Sequence, residues 1–257
     1  MTNKFIGKNI LILACSRSGH HAIINWLTNQ CKGHIKYYNN CEKGWDEGMF
    51  KPNKKRVESF GVTSDDFITN LYTIEDFNME YCKKYDFFNF TSLPQYEIDL
   101  VIIINRDFRN WVSSRIVGGG EGLNNLISTN NGETPAVKKW AMLVKESLGE
   151  TNLLKGNSYS INFNDWYSSD EYRKQICLDL GLEFSDKGFR EVSHAGGGSS
   201  FSGVEILDSQ NLDVLNRYKK LENDERYNKV LYWASKEIME LDKKYFKKEW
   251  KKEKQRV

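Results

Sequence analysis

The residues Arg17-Ser18-Gly19-His20-His21 follow the apolar run Ile10–Ala14 and open a stretch with helical character. A strand that bends at a glycine and passes into a helix turns backbone N–H groups toward one point, and an anion is what such a point binds. Against the triphosphate pattern G-x-x-x-x-G-K-[ST], Ala14 stands for the first glycine, His20 for the lysine and His21 for the hydroxyl residue. The metal anchor and the lysine that reaches the outer phosphates are both replaced, which argues against ATP hydrolysis or kinase chemistry.

A second anion-binding pattern lies in "VIIINRDFRNWVSSR", where Arg106 precedes Ser114 by eight residues. An arginine at a strand tip and a hydroxyl two helical turns later can hold one phosphate from two sides. The alternative is an ordinary strand–helix turn in which Arg106 pairs with Asp107. A third segment, "SHAGGGSSFSG" (193–203), offers Gly197, Gly198, Ser199 and Ser200 as a nest of backbone and hydroxyl donors, with Arg190 upstream. Read plainly, it is a surface loop.

Elements that could position these residues follow from the hydrophobic pattern. Ile10–Ala14 and Leu100–Ile104 are continuous apolar runs, which suit strands buried on both faces of a parallel sheet. Asp86–Thr91 and Ser158–Phe163 read as further strands. Helical patterns cover Gly19–Cys31, Asn110–Ile116, Ala136–Leu148, Ser169–Leu180 and Leu212–Lys243, and the alternation predicts an α/β fold: one parallel sheet flanked by helices. The 257 residues, with only three prolines and no repeat, fit a single domain over 1–257. Lys32–Gly61, Gly118–Thr134 and Ser193–Gly203 read as irregular, and they would wall a site beyond the carboxyl ends of the strands.

Composition excludes some partners. The tail 241–257 holds eight basic against three acidic residues, which leaves the rest of the chain slightly acidic within a net charge of +2. That body is no basic nucleic-acid platform, and the tail reads as a solvated helix end with Tyr245, Phe246 and Trp250 partly packed. Five scattered cysteines without a C-x-x-C pair, and a start lacking a signal peptide or a membrane-length apolar run, lead to the expectation of a soluble cytoplasmic protein.

Taken in order, the segments resemble the sulfotransferases that use 3′-phosphoadenosine 5′-phosphosulfate (PAPS), with a P-loop type of fold. Their 5′-phosphosulfate loop reads [KR]-S-G-[ST]-T, matched here by Arg17 to His21, and their 3′-phosphate motif carries the Arg106–Ser114 spacing. "INFNDW" (Ile161–Trp166) is similar to the strand-end adenine contact, with Phe163 at a place where tyrosine is common. The 193–203 loop lacks the R-K-G triplet of the cytosolic enzymes. The resemblance implies PAPS as donor with no metal, a small-molecule or carbohydrate hydroxyl as acceptor, and Arg17, Ser18, Gly19, His20, His21, Arg106, Ser114, Phe163 and Gly197–Ser200 as donor-binding residues.

It also implies Arg17 as the catalytic cation on the bridging oxygen. The base is open, because Ser92 in "FTSLP" stands where a histidine is expected. His20 and His21 are candidates, as proton acceptors or as phosphate donors, and so are Glu42, Asp46 and Glu47, with His34 and His194 behind them. Tyr37, Tyr38, Trp45 and Phe50 could form an aromatic platform for the acceptor, and the glycines at 118–120 and 122 a lid. A degenerate P-loop kinase and a noncatalytic nucleotide-binding protein are the competing readings.

Overall fold

The computed structural model describes residues 4–43, 50–51, 57–60, 68–79, 98–118, 123–128, 134–154, 158–191 and 212–247. Its centre is a six-stranded sheet built on β1 (Asn9–Ala14). On one side of β1 lie β6 (Ile68–Glu75), then β2 (His34–Tyr38), then β5 (Val57–Phe60); on the other lie β7 (Leu100–Asn105) and β8 (Ser158–Asn162). Every pairing is parallel except β2 with β5. A separate short pair joins β3 (Glu42–Lys43) to β4 (Phe50–Lys51).

Alternate residues of the central strands serve two cores. Ile10, Ile12 and Ala14 of β1, with Leu100, Ile102 and Ile104 of β7, pack beneath α1 (His20–Gln30) and its residues Ile23, Ile24, Trp26 and Leu27. Leu11, Leu13, Val101 and Ile103 face the other way. There they meet Phe108, Trp111 and Val112 of α2 (Phe108–Gly118) and Val137, Trp140 and Leu143 of α4 (Ala136–Ser147). Between those helices lies the short α3 (Leu123–Ile127). Covering both faces is what the unbroken apolar runs require, because no side of either strand can be left in water.

The chain runs from β1 outward to β2, returns to place β6 beside β1, and then crosses to β7 on the opposite side. Successive connections therefore diverge at the carboxyl end of β1, the place where open sheets of this kind form a crevice. After β8, α5 (Phe163–Ser168) and α6 (Asp170–Leu180) complete the α1 face. The expected single helix over Leu212–Lys243 is broken into a 3₁₀ turn at Arg217–Leu221, α7 (Glu225–Trp233) and α8 (Lys236–Tyr245). Asp224 and Ser235 cap the two helices with their side chains, and each cap starts a new helix where a continuous one was expected.

The segment Lys32–Gly61 is not irregular as expected, since it supplies β2 and β5, and the Gly118–Thr134 segment contains α3. Asp86–Thr91, the 193–203 loop and residues 248–257 of the tail lie outside the described residues. Phe246 is fully buried and Tyr245 meets it edge-on, so the described part of the tail is packed. Among the described residues no helix is long and apolar enough to cross a membrane.

Asp242 of α8 is buried and accepts the Phe108 backbone N–H at 2.8 Å, capping α2 from 134 residues away. Asp242→Ala removes a charged acceptor from a buried helix start, and a loss of about 1–3 kcal/mol is expected in urea unfolding.

Candidate active site

At the tip of β1 the loop Cys15–Gly19 turns tightly, with the Ser18 N–H donating to the Cys15 carbonyl at 3.0 Å. Arg17 and Gly19 both take positive φ, 67° and 86°. Such a pair of turns lets α1 start immediately, so that the N–H groups of His20 and His21 open the helix at the end of the crevice. Gly19 is required twice over. Its φ disfavours any side chain, and an added Cβ would lie 2.3 Å from Cε2 of Phe163.

Two indoles hold this region from the core side. The Trp111 N–H donates to the Ser16 carbonyl and the Trp140 N–H to the Arg106 carbonyl, each at 2.9 Å. The rings lie 6.3 Å apart and both contact Phe108. Asp76, at the end of β6, accepts the Ser16 N–H at 3.1 Å and pairs with the buried Arg115 at 2.7 Å. The loop is thus fixed by one aromatic stack and one ion pair.

On the β7 side sits a cluster of positive charge. Arg106, 2% exposed, donates through Nη1 to Ser114 Oγ at 3.1 Å and to the Arg17 carbonyl at 3.3 Å, and through Nη2 to the Val214 carbonyl. Arg217 donates to the same Ser114 oxygen at 3.0 Å, while the Ser114 hydroxyl itself donates to the Asn110 carbonyl at 2.8 Å. Ser114 therefore joins two guanidiniums with its lone pairs and spends its one hydrogen on the helix, where the sequence suggested a phosphate donor.

Asp107 does not neutralise the cluster as the alternative reading supposed. Its carboxylate is engaged by Asn110 and Asn164, capping α2. Burial pulls Arg106 down to about 10 against the weak support of Asp107. Burial, then Arg106 and Arg17, pull Arg217 down to about 9. Guanidiniums keep their protons near neutrality, so these shifts express charge held against burial and like neighbours, which an anion would relieve.

Phe163 begins α5 rather than ending the strand, because Asn162 caps that helix by accepting the N–H groups of Asn164 and Asp165. Its buried ring lies over Gly19 and 5.1 Å below the Arg106 guanidinium, and Tyr167, parallel to it at 6.1 Å, is the more exposed of the two. The side chain of Arg17 reaches the Gly118 carbonyl at the end of α2.

The histidines turn to the opposite flank. His20, 2% exposed, has Nδ1 3.4 Å from Ser18 Oγ and Nε2 3.2 Å from Oε1 of Glu75. His21 has Nδ1 3.2 Å from the Tyr37 hydroxyl and Nε2 3.6 Å from the same Glu75 oxygen. Burial, with His20 adding to it, lowers His21 to about 4. Burial would raise Glu75, but the two histidines outweigh it and hold the carboxyl well below its usual range.

Sequence reasoning brought Arg17, Ser18, Gly19, His20, His21, Arg106, Ser114 and Phe163 to one end of the sheet, where the structure also gathers them. Gly197, Gly198, Ser199 and Ser200 fall outside the described residues, as do Ser92, His194, Asp46, Glu47 and Trp45. Tyr37 is buried in β2, which removes it from the expected platform, and the half-buried Tyr38 stacks on Tyr72 at 4.7 Å. Arg217, Glu75 and the role of Tyr37 were missed. The run Ile68–Glu75, rich in Thr, Ile and Tyr, carried enough strand propensity to have pointed to Glu75; Arg217 carries no motif.

No family model and no curated protein matches the sequence. Among solved structures, mouse sulfotransferase SULT7A1 complexed with PAP matches at 11% identity and a TM-score of 0.45, covering 93% of this chain and 84% of that one. The sulfotransferase domain from the curacin biosynthetic pathway matches at 12% identity and a TM-score of 0.42, covering 87% and 95%. Overlap of this grade carries no functional argument, and the reading rests on the residues themselves.

Gly19→Ala should unfold at least about 2 kcal/mol more easily, from the left-handed backbone and the contact with Phe163 together. Adding Phe163→Leu should recover the steric part only, which a double-mutant cycle in urea would separate.

Proposed function

We propose that the protein transfers a sulfuryl group from PAPS to a hydroxyl acceptor, a carbohydrate or another small hydroxylated metabolite. The observation that carries this reading is the gathering of two sets of anion-suited groups at one end of the sheet. The glycine loop at the start of α1 suits one end of a doubly phosphorylated adenosine, and Arg106 with Arg217, bridged by Ser114, suits the other. A triphosphate with magnesium has neither its lysine nor its metal-bearing hydroxyl here, whereas two separated anions match both features.

In this mechanism the acceptor oxygen bonds to sulfur as the bond from sulfur to the 5′-phosphate oxygen breaks, and the acceptor's proton passes to a base on the flank of His20, His21 and Glu75. Negative charge grows on the leaving phosphate. Arg17 and the first N–H groups of α1, those of His20 and His21, stabilise it. Arg17 acts as a fixed cation and not as a proton donor. His20 thus enters the reaction through its place at the helix start, with its ring turned to the acceptor flank. Gly197–Ser200 remain the proposed cover of the 3′-phosphate, and Phe163 with Tyr167 the aromatic wall for adenine.

Thermal melting with 3′-phosphoadenosine 5′-phosphate, ATP–Mg²⁺ and AMP tests the reading. The bisphosphate should raise the melting temperature selectively, by ligand linkage. Arg217→Ala should weaken its binding about 10- to 100-fold, the worth of a charged hydrogen bond. A larger response to ATP–Mg²⁺ would overturn the assignment. Arg17→Ala should keep bisphosphate binding within a few-fold and lower kcat at least about 100-fold in a labelled-sulfate assay over an acceptor library. Bisphosphate binding with no transfer to any acceptor class would leave a noncatalytic binder.

A further inference from the structure

His20, His21 and Glu75 converge from two elements, the start of α1 and the end of β6, with their three nearest ligand atoms all within 4.8 Å of one another. The histidine–carboxylate distances are 3.2 and 3.6 Å. Ligands held about 2.0–2.2 Å from a tetrahedral zinc ion stand about 3.3–3.5 Å apart along each edge, so these separations are those of a coordination shell.

The outer partners can support the matching tautomer. The Tyr37 hydroxyl donates to Asn39 Oδ1 at 3.2 Å. Its oxygen can then accept from His21 Nδ1, the tautomer that would present Nε2 as a ligand atom once a metal ion replaces the contact with Glu75. Ser18 Oγ lies 3.4 Å from Nδ1 of His20. Nε2 of His20 is buried, and despite its 3.2 Å approach to Glu75 it makes no hydrogen bond of good geometry among the described residues. Two ligands of one metal ion stand this close without being hydrogen-bonded to each other.

We propose that His20, His21 and Glu75 bind a divalent transition-metal ion of the zinc class, with Ser18 and Tyr37 orienting the two imidazoles from behind. Two imidazoles and one carboxylate suit zinc, cobalt, nickel or iron rather than magnesium or calcium, which take oxygen ligands. Three protein ligands leave a coordination position open. The ion lies on the flank of the donor loop away from Arg106 and Arg217. If the sulfuryl-transfer reading holds, an acceptor hydroxyl entering that position would lose its proton more readily. The site itself does not depend on that reading.

The test uses the full chain, stripped with a chelator and titrated with Zn²⁺ and Co²⁺ in the absence of nucleotide. One ion per chain is expected, with visible cobalt bands of a nitrogen–oxygen site and a raised melting temperature. Glu75→Gln should weaken Zn²⁺ binding about 100-fold or more, and the isosteric Tyr37→Phe about tenfold by freeing His21 to turn. Melting in chelator verifies that each variant is folded. No binding tighter than about 0.1 mM, binding unchanged in both folded variants, or a thiolate-to-cobalt charge-transfer band placing the ion on a cysteine would each overturn the proposal. Bisphosphate binding by the metal-stripped protein is measured separately, so failure of the metal site and failure of the donor site remain distinct.

Discussion

Positive charge gathered at the carboxyl edge of the sheet is the constraint around which this end of the molecule is organised. Arg17, Arg106 and Arg217 repel one another across a region from which water is largely excluded. The carboxylate of Asp107, next to Arg106 in the chain, is held by two asparagines. Hydroxyl and carbonyl oxygens hold the Arg106 and Arg217 guanidiniums in place. Like charges held this close lower the stability of the fold, a cost that an anion placed among them would offset.

The rest of the scaffold keeps that charge in register. Trp111 and Trp140 reach from the apolar core to the carbonyls of Ser16 and Arg106, so the loops after β1 and β7 rest on one stack. Asp76 and Arg115 hold the donor loop from the β6 side. Phe163 fills the space that Gly19 leaves vacant, and the same ring lies beneath Arg106. A shift in any of these supports would be passed to both ends of the site.

Much of this was legible from the chain, and the illegible parts share a cause. β1 and β7 were evident because strands buried on both faces are apolar at every position. β2 and β6 were not, since His34, Lys36, Thr69, Asn70 and Thr73 interrupt their patterns, and Thr69, Asn70 and Thr73 find partners only after folding, as Thr73 does with the Asn40 N–H at 2.8 Å. The helix breaks at Asp224 and Ser235 depended on capping side chains inside a polar stretch where periodicity is weak. Arg17 to His21 and the Arg106–Ser114 pair could be read because each is local in sequence. Tyr37, Glu75 and Arg217 reach the same place from other elements, β2, β6 and a 3₁₀ turn, and no motif ties them to the loop they meet.

The cap that Asp242 places on α2 has a consequence for the order in which the molecule forms. The N-terminus of that helix, which carries Ser114 and stands beside Arg106, is completed by a residue near the end of the described chain. During synthesis the sheet can assemble from β1 to β8 while this corner still lacks its last acceptor, and the closing contact spans most of the polypeptide. The start of α2, beside Arg106, is thereby completed only on arrival of α8.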